Sequence, residues 1–316
     1  MATPGANLTG AALGLAAMAA YATHDAAIKV LGAGQSPFQV IFFIALLSMP
    51  AVAAIALARG GGSLRPRHPG WVAGRTAAGT AGVLGATLAF SALPLAQVYA
   101  ILFSMPLLIT LMAVPLLGER VGPHRWAAIV AGLVGVLIVL RPGQTPVSAG
   151  HWGALAAAVA GALSAVIARR LAGREATQVL VAWPIILNLI VAALALPWVY
   201  RPMSAPELGL AALIALFGLI GAALLVLAYR AGEAAVVAPM QYSQIGWAVL
   251  YGWLLFDETP DRPTALGLTV IVASGLYILW RESRGASATR PVTESDRAGD
   301  ALPSPRPSPV ARLLRR

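Results

Sequence analysis

The sequence predicts an all-α membrane protein: ten transmembrane helices arranged as two inverted five-helix repeats, with both termini in the cytoplasm. Three observations carry that expectation. Of 316 residues, 59% are hydrophobic and only 11% charged, against about 25% charged in a soluble domain. The apolar residues fall in continuous runs near the roughly 17–25 residues that cross a bilayer. One stretch is also written twice: PLLGERVGPHRWAAIVAGLVGVLIVL (115–140) returns as LLFDETPDRPTALGLTVIVASGLYIL (254–279). The same offset of 139 pairs Glu119 with Glu258, Ser104 with Ser243, Ala96 with Ala235 and Leu116 with Leu255.

The runs are taken as helices because they are continuously apolar and do not alternate as barrel strands do. They cover 8–30, 37–58, 71–93, 96–117, 123–140, 152–171, 177–200, 206–229, 234–256 and 263–280. No Lys or Arg precedes the first, so it reads as a retained span rather than a cleaved signal. In the third, Gly74, Ala78, Gly82 and Ala86 recur every four residues, a small-residue stripe that admits a neighbouring backbone. Pro106 and Pro115 are expected to interrupt the fourth. The Pro/Gly/Ser segment 141–150 separates the halves, giving repeats over 1–144 and 145–283. The remainder, 284–316, is polar and Pro/Arg-rich and is expected to be a disordered cytoplasmic tail.

Charge placement sets the orientation. The net charge of +10 is not a nucleic-acid signature, because the basic residues are sorted by side. With the N-terminus inside, the cytoplasmic loops and helix ends hold Arg59, Arg65, Arg67, Arg75, Arg120, Arg125, Arg169, Arg170, Arg174 and Arg230. The outer side holds Lys29, Arg141, Arg201 and Arg262, and the tail adds eight Arg inside. The positive-inside rule therefore favours N-in and C-in. Five spans per half is an odd number, so the second half enters the membrane upside down. The turn after Glu119 is basic and its mate after Glu258 acidic, as inversion requires. Every basic residue but Lys29 is Arg, which with the Ala/Gly richness indicates a GC-rich bacterial genome; for a multi-pass helical membrane protein the expected location is then the inner membrane.

Polar residues inside apolar helices are the candidates for function. His24, Asp25 and Lys29 lie near the outer end of the first segment. Asp25 and Lys29 are four apart and can pair; the group reads either as an interfacial ion pair or as a coupling or gating site. Arg75 is a cytoplasmic anchor or a cationic substrate contact. Glu119 and Glu258 end the fourth and ninth segments, where the helix dipole disfavours a carboxylate. A structural role, bonding the next helix N-terminus, accounts for both. The ninth segment, PMQYSQIGWAVLYGWLL, puts Gln241, Gln244 and Tyr251 near one face with Tyr242, Ser243 and Trp247 beside it. The fourth offers Gln97, Tyr99, Phe103, Ser104 and Met105, and Trp183 and Asn188 of the seventh are placed at the same space. Amides, hydroxyls and ring faces suit a planar or amphipathic small molecule.

Enzymatic classes find no support. The chain has no Cys, and no HExxH, GxSxG or GxxxxGK[ST] motif, and its four His are scattered. No cofactor or metal is expected.

At the duplicated motif the chain resembles the drug/metabolite transporter superfamily, with two EamA-type repeats. The matching stretches are SALPLAQVYAILFSMPLLITLMAVPLLGERVGPHRWAAIVAGLVGVLIVLRPG and APMQYSQIGWAVLYGWLLFDETPDRPTALGLTVIVASGLYI, with DAAIKVLG and SPFQVIFFIALLSMP at the start. The resemblance implies a secondary transporter with a central cavity lined by the third, fourth, eighth and ninth helices. That maps onto Arg75, Tyr99, Phe103, Ser104, Tyr229, Tyr242, Ser243 and Trp247. One departure stands out: members often carry Arg in the second helix after paired aromatics, whereas here Phe42-Phe43 is followed by Ile44. The second half is most similar to members that handle polar metabolites such as riboflavin, S-adenosylmethionine, amino acids or opine-type metallophores. The alternative is a non-transporting membrane scaffold or sensor. Proton coupling, exchange against a counter-substrate, and monomer or homodimer all stay open.

Overall fold

The computed structural model describes residues 4–58, 63–118, 121–141 and 146–284, and all regular structure among them is helical. The tail and Glu119 lie outside the described residues. The helices are α1 (Pro4–Gly32), α2 (Pro37–Ala58), α3 (Pro69–Ala92), α4 (Leu95–Leu102), α5 (Met105–Leu117), α6 (Pro123–Leu140), α7 (Ala149–Leu171), α8 (Thr177–Val199), α9 (Ala205–Ala231), α10 (Ala234–Val237), α11 (Ser243–Phe256) and α12 (Arg262–Arg284). A 3-10 turn, Ala238–Tyr242, joins α10 to α11. Each apolar segment read from the sequence is therefore helical, and the fourth and ninth are broken.

Local chemistry explains the boundaries. Pro69 and Pro123 open α3 and α6, where a missing N–H costs nothing. Ser148 and Ser204 cap α7 and α9 reciprocally with His151 and Glu207. Gly118 (φ 73°) ends α5 and Asp257 (φ 54°) ends α11, both left-handed. They occupy equivalent repeat positions, so each copy stops by a left-handed cap followed by a glutamate.

The breaks have a common cause. Pro106 lacks an N–H, so Leu102 has no helical donor, and Ser104 N turns back to Ile101 O at 3.1 Å. In the ninth segment Pro239 falls in the 3-10 turn. Pro115, expected to break the fourth segment as well, sits inside α5 without interrupting it.

The most extensive packing is α3 on α7, α1 on α9, α6 on α12 and α2 on α8. The 139-residue offset converts the first pair into the second and maps the other two onto themselves. The contacts are close because they are made by glycine. A Cβ added to Gly85 would sit 2.5 Å from the Gly153 carbonyl oxygen, and one on Gly153 would sit 2.7 Å from that of Gly85. The expected stripe does face α7, with Gly82 opposite Gly161. Its tightest point is Gly85, on the flank of the stripe. Gly135 and Gly267 bring α6 and α12 together in the same way.

Outward faces are apolar. α6 shows Val130, Val134 and Leu137 on one face, and α8 shows Val181, Ile190, Leu194 and Trp198. Leu95–Leu117 (counted across its break), Ala149–Leu171, Gln178–Val199 and Ala205–Ala231 are long and apolar enough to cross a membrane by length and composition. Shorter apolar stretches are Pro37–Ala51, Trp126–Leu140 and Arg262–Ile278.

Candidate functional site

Both broken helices present their break to the centre. Phe103 directly follows α4 at the break and Tyr242 is the last residue before α11, and the two are 139 positions apart. Their rings stack with centroids 5.2 Å apart and 25° between planes. Tyr99 stacks on Phe103 at 6.1 Å, and Phe90 meets Tyr99 edge-on at 5.5 Å. This column is desolvated: Tyr99, Phe103 and Tyr242 are all buried. Trp247 and Tyr251 pair beside it at 6.1 Å.

α1 supplies the polar side. The Tyr99 hydroxyl donates to Asp25 Oδ2, and His24 Nδ1 lies 2.8 Å from Asp25 Oδ1. Gln244 lies beside the same Tyr99 phenol. Thr23 Oγ1 and the Tyr251 hydroxyl are 2.9 Å apart. Asp25 is seven residues before the end of α1, about 10 Å inside by the helical rise. Glycines on α9 make the room: the Tyr21 ring occupies the space of a Gly221 Cβ, and His24 that of Gly218.

The structure thus brings together His24, Asp25, Tyr99, Phe103, Tyr242, Gln244 and Trp247. Ser243 joins them with a buried hydroxyl that has no partner among the described residues. Its repeat mate Ser104 is committed, donating to Ile101 O at 2.7 Å. Two expected contacts lie elsewhere. Arg75 donates to Leu180 O of α8 and accepts from Ser164 of α7 at its carbonyl. Trp183 is partly exposed and donates to Leu64 O at 2.9 Å.

The expected Asp25–Lys29 pair does not form. Lys29 bridges instead to Glu258 Oε1 at 2.9 Å and to Leu93 O at 2.6 Å. Glu258 bonds a helix N-terminus as expected, but not the next one: Oε2 accepts from Leu95 N at 3.2 Å, at the start of α4. The positive end of α4 and the Lys29 ammonium offset the unfavourable end of α11. A cavity of about 130 Å³ lies beside this bridge, lined by Gln97, Gly252, Glu258, Asp261 and Thr264 among others.

Gln39, Thr23 and Gly275 were not singled out from the sequence. Gln39 is fully buried and clamps Arg201 through both its backbone groups, Nε2 to O at 2.6 Å and N to Oε1 at 2.8 Å. A lone amide in an apolar first turn was the available signal. Gly275 leaves the space that the Tyr242 hydroxyl fills; no spacing in the sequence announces it.

Residues 8–141 match the EamA-like transporter family, and residues 148–280 match it a second time. The chain belongs to the EamA-like transporter family. A riboflavin transporter of Rhizobium johnstonii is 32% identical over 246 residues, 77% of this chain and 79% of that protein. An S-adenosylmethionine uptake transporter of Rickettsia bellii is 24% identical over 276 residues, 86% of this chain and 94% of that protein. A solved crystal structure superposes with a TM-score of 0.58 at 23% identity, covering 90% of this chain and all of that one, so the two share a fold. Family membership, the apolar surface and the long apolar helices make this a membrane protein.

Proposed function

We propose that the chain is a secondary transporter of a small polar or aromatic metabolite in the bacterial inner membrane, working by alternating access. Its two halves, 1–144 and 145–283, are inverted with respect to each other and cross the membrane ten times, N-in and C-in. The observation that carries the reading is the Phe103–Tyr242 stack: each half contributes one ring, each from a helix broken at that point. A planar solute that parts the two rings is held by both halves at once, and rocking the halves exposes it to one side and then the other. Relatives named for riboflavin and S-adenosylmethionine both carry fused heteroaromatic rings. Tyr99, Tyr242, Ser243, Gln244 and Trp247 line the solute. Lys29 with Glu258 closes the outer end, and His24 with Asp25 couples or gates.

The test is uptake of labelled riboflavin and S-adenosylmethionine into proteoliposomes bearing wild-type protein, Tyr242→Ala or Trp247→Ala. Transport of at least one solute by wild type, lost in the variants at unchanged melting temperature, is expected. Flux that the variants leave intact overturns the site; no flux of any ring metabolite overturns the transport reading in favour of a scaffold.

A further inference from the structure

The aromatic column ends on one charge. The Tyr99 hydroxyl that closes it donates to Asp25, and the second Asp25 oxygen faces His24 Nδ1. A neutral Nδ1–H imidazole can donate there without cancelling the carboxylate charge. The neighbouring elements direct their Lys and Arg side chains elsewhere. Lys29 of α1 is held by Glu258 and Leu93 O. Facing α1, α9 presents Gly218 and Gly221, and its Arg230 is exposed in the last turn. α4 and α11 contribute tyrosines and Gln244, and Arg75 of α3 is directed to α8. Among the described residues no Lys or Arg is placed on Asp25, whose side chain is only 13% exposed and meets His24 as its ion-pair neighbour.

A carboxylate in such a setting attracts a cationic solute and repels an anionic one far more strongly than it would in water. We infer that the site takes a substrate combining a planar ring with a positive charge, the ring between Phe103 and Tyr242 and the charge against Asp25, and that it rejects anionic ring compounds. This rests on the transport reading above and adds the charge class to it.

Two matched ligand pairs test it by isothermal titration calorimetry on the purified full chain. S-adenosylmethionine and S-adenosylhomocysteine share every group but the sulfonium methyl, so they differ by about one positive charge at neutral pH. Riboflavin and riboflavin 5′-phosphate differ by the anionic phosphate. Wild type is expected to prefer the sulfonium compound at least tenfold, and riboflavin over its phosphate at least tenfold. Asp25→Asn is expected to bring the first ratio to within about twofold. Equal affinities within each pair for wild type, or a sulfonium preference kept by Asp25→Asn, overturn the charge preference and leave transport standing. Should Asp25→Asn not fold, the wild-type ratios decide alone. Binding of none of the four overturns both readings together.

Discussion

Lys29 of α1 and Glu258 of the turn after α11 form an ion pair of 2.9 Å, and the same carboxylate holds the backbone N–H of Leu95 at the head of α4. The ammonium also lies 5.2 Å from the Phe256 ring centroid. The two side chains are 13% and 24% exposed, so removing one strands the other with little water. Lys29→Met is predicted to lower stability by about 2 kcal/mol, less than the roughly 3–5 kcal/mol of a fully buried pair. Lys29→Met with Glu258→Gln together should lose less than the sum of the single changes. A double-mutant cycle of unfolding in detergent checks this; strict additivity contradicts it.

Gly275→Ala should disturb Tyr242 from outside the site. An alanine Cβ there would lie 1.9 Å from the Tyr242 hydroxyl, so the ring must shift along the stack with Phe103. Transport is expected to fall at least tenfold, while Gly246→Ala, with nothing within 4 Å of its added Cβ, leaves it near wild type. Flux assays on both variants decide; a silent Gly275→Ala contradicts the proposed role of Tyr242.

The glycine crossings make a stability prediction of opposite signs. Gly85→Ala drives a Cβ to 2.5 Å from the Gly153 carbonyl oxygen, and backbone cannot step aside as a flexible side chain does. A loss of roughly 1–3 kcal/mol is expected, as for other overpacked contacts. Gly209→Ala meets nothing within 4 Å on an exposed face of α9 and should gain up to about 1 kcal/mol from helix propensity. Melting temperatures of the two variants check both.

At the α11–α12 turn, Asp261 accepts from Arg141 and from Thr264 N. Partial burial pushes its carboxyl up, but the Thr264 hydrogen bonds and the Arg141 guanidinium outweigh that and hold it below the usual carboxylate range. A depressed folded-state value means that its stabilisation is complete above the unfolded value, about 3.9, and is lost as pH falls through the folded one. The melting-temperature gap between wild type and Asp261→Asn is therefore expected to be widest near neutral pH and to close as pH drops below about 4. A gap that widens on acidification contradicts it.

Helix positions were legible in the sequence because lipid-facing and buried runs are both apolar, and the 139-residue offset exposed Ser104/Ser243 and Glu119/Glu258 at once. Pro106 announced one break. The partners of the charged residues were not legible. Four-residue spacing paired Lys29 with Asp25, whereas the fold gives Lys29 to Glu258 and Asp25 to Tyr99. Spacing describes one helix surface, and these bonds join different helices. Trp183 was placed at the site by residue type, and Arg75 by its depth in the third helix and by the resemblance; their donors go to backbone carbonyls of neighbouring segments.

The partnership of α1 with α9 and α11 also sets a schedule for synthesis. Thr23 and Tyr251 are 228 positions apart, a delay of roughly 10–45 s at 5–20 residues per second. For most of that interval the newborn first helix holds Asp25 and Lys29 without Glu258, Gln244 or the glycines of α9 to receive them. The first span can rest on α3 early, but the ribosome must make most of the chain before it reaches its main partner α9 and the tyrosine of α11.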